Sequence, residues 1–263
     1  MTDTALLNWT LNNVLSLLII MTRVGPLIFL MPVIGSTSIP PQVKVLFTLV
    51  LALILVPTVQ VVPESFPKSA IDYALFVGTE IAFGAVLAFL ARMVFSACDI
   101  AGQMVSISMG MGMAGAMDPQ SGTQVSLIGN LWNIISILIF LAINGHHLFF
   151  RTLVESFNWV EPGTIHLSDA TLAGIIDAVQ HMFVLAVQIM APAAAALFLS
   201  HVAMGIIAKT VPQMPVMIVA MPMNIAIGFI FVGLSMSYFL PLMIKNFDKM
   251  GVELFQLAKG MGG

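Results

Sequence analysis

Few side chains in this sequence could take part in catalysis or metal binding, and their spacing argues against both. His146 and His147 are neighbours, so on a helix they point about 100° apart and form a poor metal pair. We expect them instead to cap the end of a membrane segment. Asp99 and Asp118 could form an aspartyl pair, but Asp118 precedes Pro119, which is typical of a turn or a helix start.

The cysteine content and the short motifs exclude several further kinds of chemistry. Cys98 is the only cysteine, so neither an intrachain disulfide nor a zinc cluster of thiolates can form. The sequence contains no metalloprotease motif, nucleophile elbow or phosphate-binding loop. We therefore predict that the protein is not an enzyme and carries no cofactor or metal.

Four polar side chains lie in or beside long apolar segments and are candidates for buried or interface positions: Arg23, Glu80, Gln103 and Gln188. An Arg at the centre of a bilayer costs about 2.5–3.5 kcal/mol on insertion scales, so such groups should face protein or water. Two interpretations of Arg23 stay open. It either forms a structural ion pair with Glu80 or lines a path for a substrate.

Composition places these residues in a membrane protein. Of the 263 residues, 59% are apolar and 8% are charged, and the mean hydropathy is +1.05. Soluble domains carry roughly 25% charged residues, because their surface must be solvated. The surface therefore faces membrane lipid or partner proteins. A net charge of −3 without a basic run argues against nucleic acid.

Six apolar segments are long enough to cross a bilayer, which needs about 20 helical residues. Prolines and internal polar residues predict kinked helices, and small residues at a spacing of four predict close helix packing. The expected fold is all-α and polytopic, with about six hydrophobic helices in one integral domain. The segments are Leu6–Met31, Val43–Val62, Ile71–Phe95, Val125–Phe150, Ile175–Ile207 and Val216–Ile244.

The stretch from Asp99 to Pro119 is rich in both Met and Gly. Each internal Gly weakens a helix by about 1 kcal/mol relative to Ala, so a re-entrant or buried loop is expected. Flexible Met side chains fill irregular gaps and repack easily. From composition alone, two interpretations remain: loose core filling, which is the commoner use of Met, and a deformable plug in a pore.

Short motifs follow one another in order along nearly the whole chain: Arg23-Val24-Gly25-Pro26, Pro32, Gly35, Ile39-Pro40, Lys44, Gly102-Gln103, Met109-Gly110, Asp118-Pro119, Gly122, Gln124, Asn133, Asn144-Gly145-His146-His147, Ser156-Phe157, Pro162-Gly163 and Pro212-Gln213-Met214. Together they resemble the FliR family of bacterial flagellar export. The ending of the fourth segment favours the flagellar branch over the homologues of virulence injectisomes.

The resemblance implies a subunit of an export gate in the bacterial inner membrane, at the flagellum basal body. In this family the chain assembles with FliP and FliQ around a central pore, FlhB and FlhA complete the gate, and unfolded export substrates pass through it. It also implies a FliP-like part over about 1–170, followed by a FliQ-like helical hairpin over about 171–263.

The resemblance further implies a plug and an entrance turn. The family's plug maps to roughly Ser106–Gln120, which makes the plug the favoured interpretation of the Met-rich stretch: Met109, Gly110, Met111, Gly112, Met113, Met117, Asp118 and Pro119. The turn of the hairpin would lie at the entrance of the pore and contain Lys209, Pro212, Gln213 and Met214. The side of the membrane on which the termini lie stays open. The competing class is a channel or carrier for small solutes that acts alone.

Overall fold

The computed structural model describes residues 2–36, 39–59, 69–111, 126–165, 168–211, 213 and 216–262, and over these residues the chain is helical without any strand. Seven helices occur in this part of the chain. They are α1 (Thr2–Leu30), α2 (Pro41–Leu55), α3 (Ala70–Ser108), α4 (Leu127–Ala142), α5 (Gly145–Trp159), α6 (Asp169–Thr210) and α7 (Val216–Gly260).

The lengths of these helices confirm an all-α, polytopic membrane protein. Within the described residues α1, α3, α6 and α7 are each long and apolar enough to cross a membrane, and α4 with α5 makes a fifth candidate if the pair is one broken span. α2 has 15 residues, or about 22 Å of helix, which is shorter than the roughly 30 Å of a bilayer core. The described residues therefore contain four or five candidate spans, whereas the sequence predicted six segments.

The chain folds into two compact units, each assembled from separate stretches of sequence. Unit 1 contains Met1–Met93, Asn144–Ala178 and Asp248–Gly263, and unit 2 contains Val94–Ile143 and Val179–Phe247. Each unit has its own apolar core. The division into a FliP-like and a FliQ-like part near residue 170 stays a prediction.

The core of unit 1 lies where α1, α3 and α5 pack against one another. Ile20, Leu27, Phe83 and Phe149 are almost fully buried there. α1 approaches α3 closely at Gly84, because a Cβ on this residue would overlap the backbone carbonyl of Arg23. A small residue at this position is therefore what allows the two helices to come so near.

The core of unit 2 is largely aromatic. Phe95, Phe140 and Phe247 form a cluster in which the ring centres lie 5.3–5.6 Å apart. In the same unit, Trp132 stacks on Phe239 with ring centres 6.1 Å apart. Aromatic pairs at such distances add about 0.5–1.5 kcal/mol each beyond the burial of their surface.

α3 is longer than the sequence predicted. It was expected to end near Phe95 and to be followed by a loop, but the structure continues the helix to Ser108, so the loop interpretation is wrong for residues 99–108. Gly102 lies against Gly129 of α4, and a Cβ on it would overlap the Gly129 backbone. This close contact between helices offsets the low helix propensity of Gly.

The fourth apolar segment is broken rather than straight. α4 ends at Ala142 and α5 begins at Gly145, with a bend of 64° between them. Asn144 produces the break, since it adopts a left-handed conformation with φ +57°, which Asn tolerates better than most residues. His147 thus lies in the first turn of α5, and the expected cap at a helix end is wrong.

Candidate functional site

Arg23 and Glu80 form a fully buried ion pair in unit 1. The Nε of Arg23 donates to Glu80 Oε2 at 2.6 Å, and its Nη2 donates to Glu80 Oε1 at 3.1 Å. Neither side chain is accessible to solvent. This two-point geometry is the strongest form of an Arg–carboxylate contact. Of the two interpretations, the structure thus places Arg23 on Glu80.

Backbone groups complete the surroundings of this pair. The remaining nitrogen of Arg23, Nη1, donates to the carbonyls of Ser156 at 3.3 Å and Val160 at 3.2 Å. Glu80 Oε1 also accepts from the backbone N–H of Gly163 at 2.9 Å. The pair therefore fastens the end of α5 and the turn after it to α1 and α3.

Two aromatic rings cover the guanidinium of Arg23. Its central carbon lies 4.7 Å from the ring centre of Phe83 and 4.3 Å from that of Phe157. A cation desolvated over an aromatic face gains about 2 kcal/mol. These hydrogen bonds and ring contacts of Arg23 join α1 to α3 and to the end of α5, so the site acts as a structural joint in unit 1.

Gln103 and Gln188 were also candidates for buried or interface positions. Both are exposed on the surface of this chain, on α3 and α6 respectively. Exposed amides on apolar helices need a polar partner outside the chain or contact with water. They stay candidates for an interface with another subunit.

The Met-rich stretch begins at a specific helix ending. The N–H of Gly110 donates to the Ile107 carbonyl at 2.9 Å, and that of Met111 donates to the Ser106 carbonyl at 3.0 Å. Gly110 has a φ of +83°. These bonds and this left-handed residue define a Schellman motif, so Gly110 ends α3 for a conformational reason.

The methionines of this stretch differ in their surroundings. Met109 is fully buried and fills the space above Gly228 of α7, where an added Cβ would lie 2.6 Å from its sulfur. Met111 is half-buried. The other predicted plug residues lie outside the described residues: Gly112, Met113, Met117, Asp118 and Pro119.

α3 and α4 run antiparallel, and polar groups join them along one line that we call the α3–α4 seam. The Ser106 and Ser126 hydroxyls lie 2.7 Å apart, and Gly102 contacts Gly129. Asn133 Nδ2 donates to Asp99 Oδ1 at 2.9 Å. At the far end, Cys98 Sγ lies 3.1 Å from Ser136 Oγ.

Sequence reasoning missed the α3–α4 seam, although a signal was present. Small or polar residues recur every three or four positions on both sides of the Met-rich stretch, which places them on one face of each helix. They are Cys98, Asp99, Gly102 and Ser106 on one side, and Ser126, Gly129, Asn133 and Ser136 on the other.

The helical hairpin of α6 and α7 turns between Thr210 and Val216. In unit 2 the Ser200 hydroxyl of α6 donates to Asn224 Oδ1 of α7 at 2.6 Å, and both are buried. Lys209 and Gln213 are exposed at the turn, whereas Pro212 and Met214 lie outside the described residues. The turn is thus accessible to a partner through at least two of its four predicted residues.

Comparison with known proteins identifies the family. The family model for bacterial export proteins, family 1, matches residues 14–250. The flagellar biosynthetic protein FliR of Bacillus subtilis (strain 168) is 32% identical over 241 residues, which cover 90% of this chain and 91% of that protein.

The chain belongs to the FliR family. More distant members match over similar lengths: FliR of Caulobacter vibrioides is 26% identical over 83% of this chain and 87% of its own, and FliR of Escherichia coli K12 is 23% identical over 89% and 88%. Membership confirms the family predicted from the sequence motifs. It establishes a role in the flagellar export apparatus and a multi-pass location in the inner membrane.

FliR membership also changes how the two polar sites are to be understood. In a subunit of an export apparatus, a buried joint such as Arg23–Glu80 fixes the shape of the subunit. The α3–α4 seam fixes the two helices that flank residues 112–125, within which most of the predicted plug falls.

Proposed function

We propose that this FliR chain forms part of the pore through which unfolded flagellar subunits cross the inner membrane. In this proposal it assembles with FliP and FliQ, FlhB and FlhA complete the gate, and a Met-rich segment plugs the closed pore. Residues 1–170 act as a FliP-like part and residues 171–263 as a FliQ-like hairpin, with its turn at the entrance.

An exposed amide within the apolar face of α6 is the observation that carries the assembly proposal. In unit 2, Val184 and Val187 are 46% and 59% exposed, and Gln188 beside them is exposed as well. Amide groups that face lipid have no hydrogen-bond partner, so polar side chains in membrane helices face protein or water. Another protein subunit packed over this face of α6 would cover the apolar side chains and give the amide a partner.

The chemistry of methionine supports the plug. A closed pore must block ions, yet an open one must pass chains of any sequence. Unbranched thioether side chains pack dry against one another and then repack around a new surface, and glycines between them keep the backbone mobile. Met111, Met113 and Met117 fall within seven residues, which is the composition that such a seal needs.

An ion-leak measurement on the assembled gate tests the plug. Met111, Met113 and Met117 are replaced together by Ser, while Met109 is kept because its side chain packs inside unit 2 against Gly228. We expect higher ion conductance through the resting gate, because three short hydroxyl side chains neither fill the constriction nor exclude water from it.

Met104→Ser is the matched control for this measurement. Met104 is 47% exposed and lies within α3, before the Schellman motif. Its replacement should leave the conductance at rest unchanged. If the triple variant assembles in normal amounts and conducts no more than Met104→Ser, the plug proposal is refuted.

A further inference from the structure

A polar band runs along one side of the α3–α4 pair in unit 2. On each helix its members follow one another at spacings of three or four residues, which places them on one face. We define the polar band by these residues: Asp99, Gln103 and Ser106 on α3, and Ser126, Asn130 and Asn133 at the start of α4.

The polar band begins and ends at a hydrogen bond between the two helices. One joins the two serines, whose hydroxyls lie 2.7 Å apart, and the other joins Asn133 Nδ2 to Asp99 Oδ1 at 2.9 Å. In the antiparallel register that these bonds set, Gln103 and Asn130 lie between them at facing positions.

The two amides in the middle of the polar band are exposed. Gln103 and Asn130 are both on the surface of this chain, whereas Asp99 and Asn133 are half-buried. An amide carries hydrogen-bond donors and acceptors, and neither finds a partner in lipid. This side of the α3–α4 pair therefore faces water or the polar groups of another molecule.

An extended polypeptide has the chemistry that fits the polar band. Helical subunits of a membrane complex pair their backbone groups within their own helices, so only their side chains could reach these amides. An unfolded chain instead presents a free N–H and C=O at every residue except proline. The band covers seven residues of helix from Asp99 to Ser106, or about 10 Å, along which roughly three extended residues would lie.

The polar band differs in this respect from the exposed amide on α6. Gln188 is a single amide beside the apolar Val184 and Val187, which suits one polar side chain of a neighbouring subunit. The band groups six polar residues on two helices. It therefore needs a continuous polar surrounding, which a water-filled path supplies.

We propose that the polar band lines the water-filled path of the export substrate, and that the amides of Gln103 and Asn130 exchange hydrogen bonds with the substrate backbone. This assignment rests on the proposed function and adds to it the face of the chain that the substrate meets. Because backbone groups are the same in every sequence, the band guides unfolded chains without selecting among them.

Cysteine labelling in the assembled gate tests whether the polar band faces a water-filled path. Gln103→Cys and Asn130→Cys are made singly in a Cys98→Ser background, and membrane fragments open on both sides are treated with a charged, water-soluble maleimide. We expect labelling to be about tenfold or more faster than at control positions, because the reactive thiolate forms in water and not in lipid.

The residues next in sequence are the matched controls. Met104 and Leu131 are 47% and 41% exposed, yet each points about 100° away from its polar neighbour on the helix. Met104→Cys and Leu131→Cys should therefore be labelled slowly.

A stalled substrate tests the contact with the passing chain. A flagellar subunit fused to a tightly folded domain that cannot enter the gate leaves its unfolded part in the path. Labelling at Gln103→Cys and Asn130→Cys should then fall to the rate of the controls, and labelling of the controls should not change.

Export rates test the amides themselves. Gln103→Leu with Asn130→Leu removes the hydrogen-bonding groups at similar side-chain size and should slow the export of flagellar subunits severalfold, since each lost hydrogen bond has a modest net effect. Gln103→Asn with Asn130→Gln keeps both amides and should export at nearly the wild-type rate. Export by the Leu variant at the wild-type rate, from a gate assembled in normal amounts, would contradict the role of the amides.

The labelling outcomes separate failure of this inference from failure of the proposed function. Labelling of the polar band no faster than at the control positions refutes the water-filled path. Fast labelling that a stalled substrate leaves unchanged means that the band faces water outside the path of the substrate, which also refutes the proposal. The proposed function itself fails if the stalled substrate does not co-purify with this chain, whatever the labelling shows.

Discussion

Removal of one partner of the Arg23–Glu80 pair is predicted to destabilise unit 1 strongly. Glu80→Met leaves a fully buried guanidinium without a counter-charge, and Arg23→Met leaves a buried carboxylate in the same state. Breaking a buried pair in this way typically costs about 3–5 kcal/mol of the free energy of unfolding.

The double substitution Arg23→Met with Glu80→Met is predicted to cost less than either single one. It removes both charges and leaves methionine to fill the space between the two rings. The main remaining loss is the donor to the carbonyl of buried Val160, which Arg23 supplies in the native chain; an unsatisfied buried polar group costs about 1–3 kcal/mol. The appropriate assay is a denaturant titration of the purified chain in mild detergent, analysed as a double-mutant cycle.

The exposed pair Lys249–Glu253 in unit 1 provides the matched control. Its N–O distance is 3.2 Å, and its side chains are 52% and 34% accessible. Pairs of this kind on helices contribute only about 0.3–0.5 kcal/mol, so Lys249→Met should change stability little. If the single losses at Arg23 and Glu80 match this control, or simply add in the double variant, the pair is not a buried structural joint.

Three further predictions concern left-handed residues and buried methionine. Gly110→Ala should lower the free energy of unfolding by about 1–2 kcal/mol, because alanine is strained at its positive φ. Gly163→Ala should lower it further, because the added Cβ would also overlap an aromatic ring. Thermal unfolding of both variants in detergent checks this order. Asn144→Gly should leave the melting temperature nearly unchanged and Asn144→Val should lower it, since only the β-branched side chain is strained at φ +57°. Met109→Ala should lower the free energy of unfolding by about 2–5 kcal/mol, and Met111→Ala clearly less, because of the two only Met109 is fully buried. Denaturant titration measures both losses, and equal losses would contradict the buried position of Met109.

Much of the fold follows from the sequence because lipid restricts the alternatives. Apolar segments must be helical at membrane depth, where backbone groups have no water to bond. Composition therefore predicts the class. A charged side chain is costly at membrane depth, which predicts that Arg23 needs a partner. Glu80 is the acidic group that the structure brings to it.

The extent of α3 could not be predicted because it depends on a contact distant in sequence. Gly102 lowers helix propensity locally, and only its packing against Gly129, 27 residues later, explains why the helix continues. The bend at Asn144 is similar. A left-handed Asn is rare, and the residue type permits the break without requiring it.

The α3–α4 seam was only partly accessible from sequence. The spacing of Ser106 from Gly102, and of Ser126 from Gly129, places each pair on one face of a helix. Which faces meet, and in what register, depends on the packing of the two helices. Ser126 as a helix cap could have been read from its type and position, but its bond to Ser106 could not.

Purification from native membranes in mild detergent shows whether this FliR chain works as one subunit of a larger export gate. The amide of Gln188, exposed beside Val187 on the apolar face of α6, supports such an assembly. We expect the chain to elute in a large complex whose mass spectrum contains FliP and FliQ. A lone monomer or dimer that transports small solutes in vesicles would contradict it and favour an autonomous carrier.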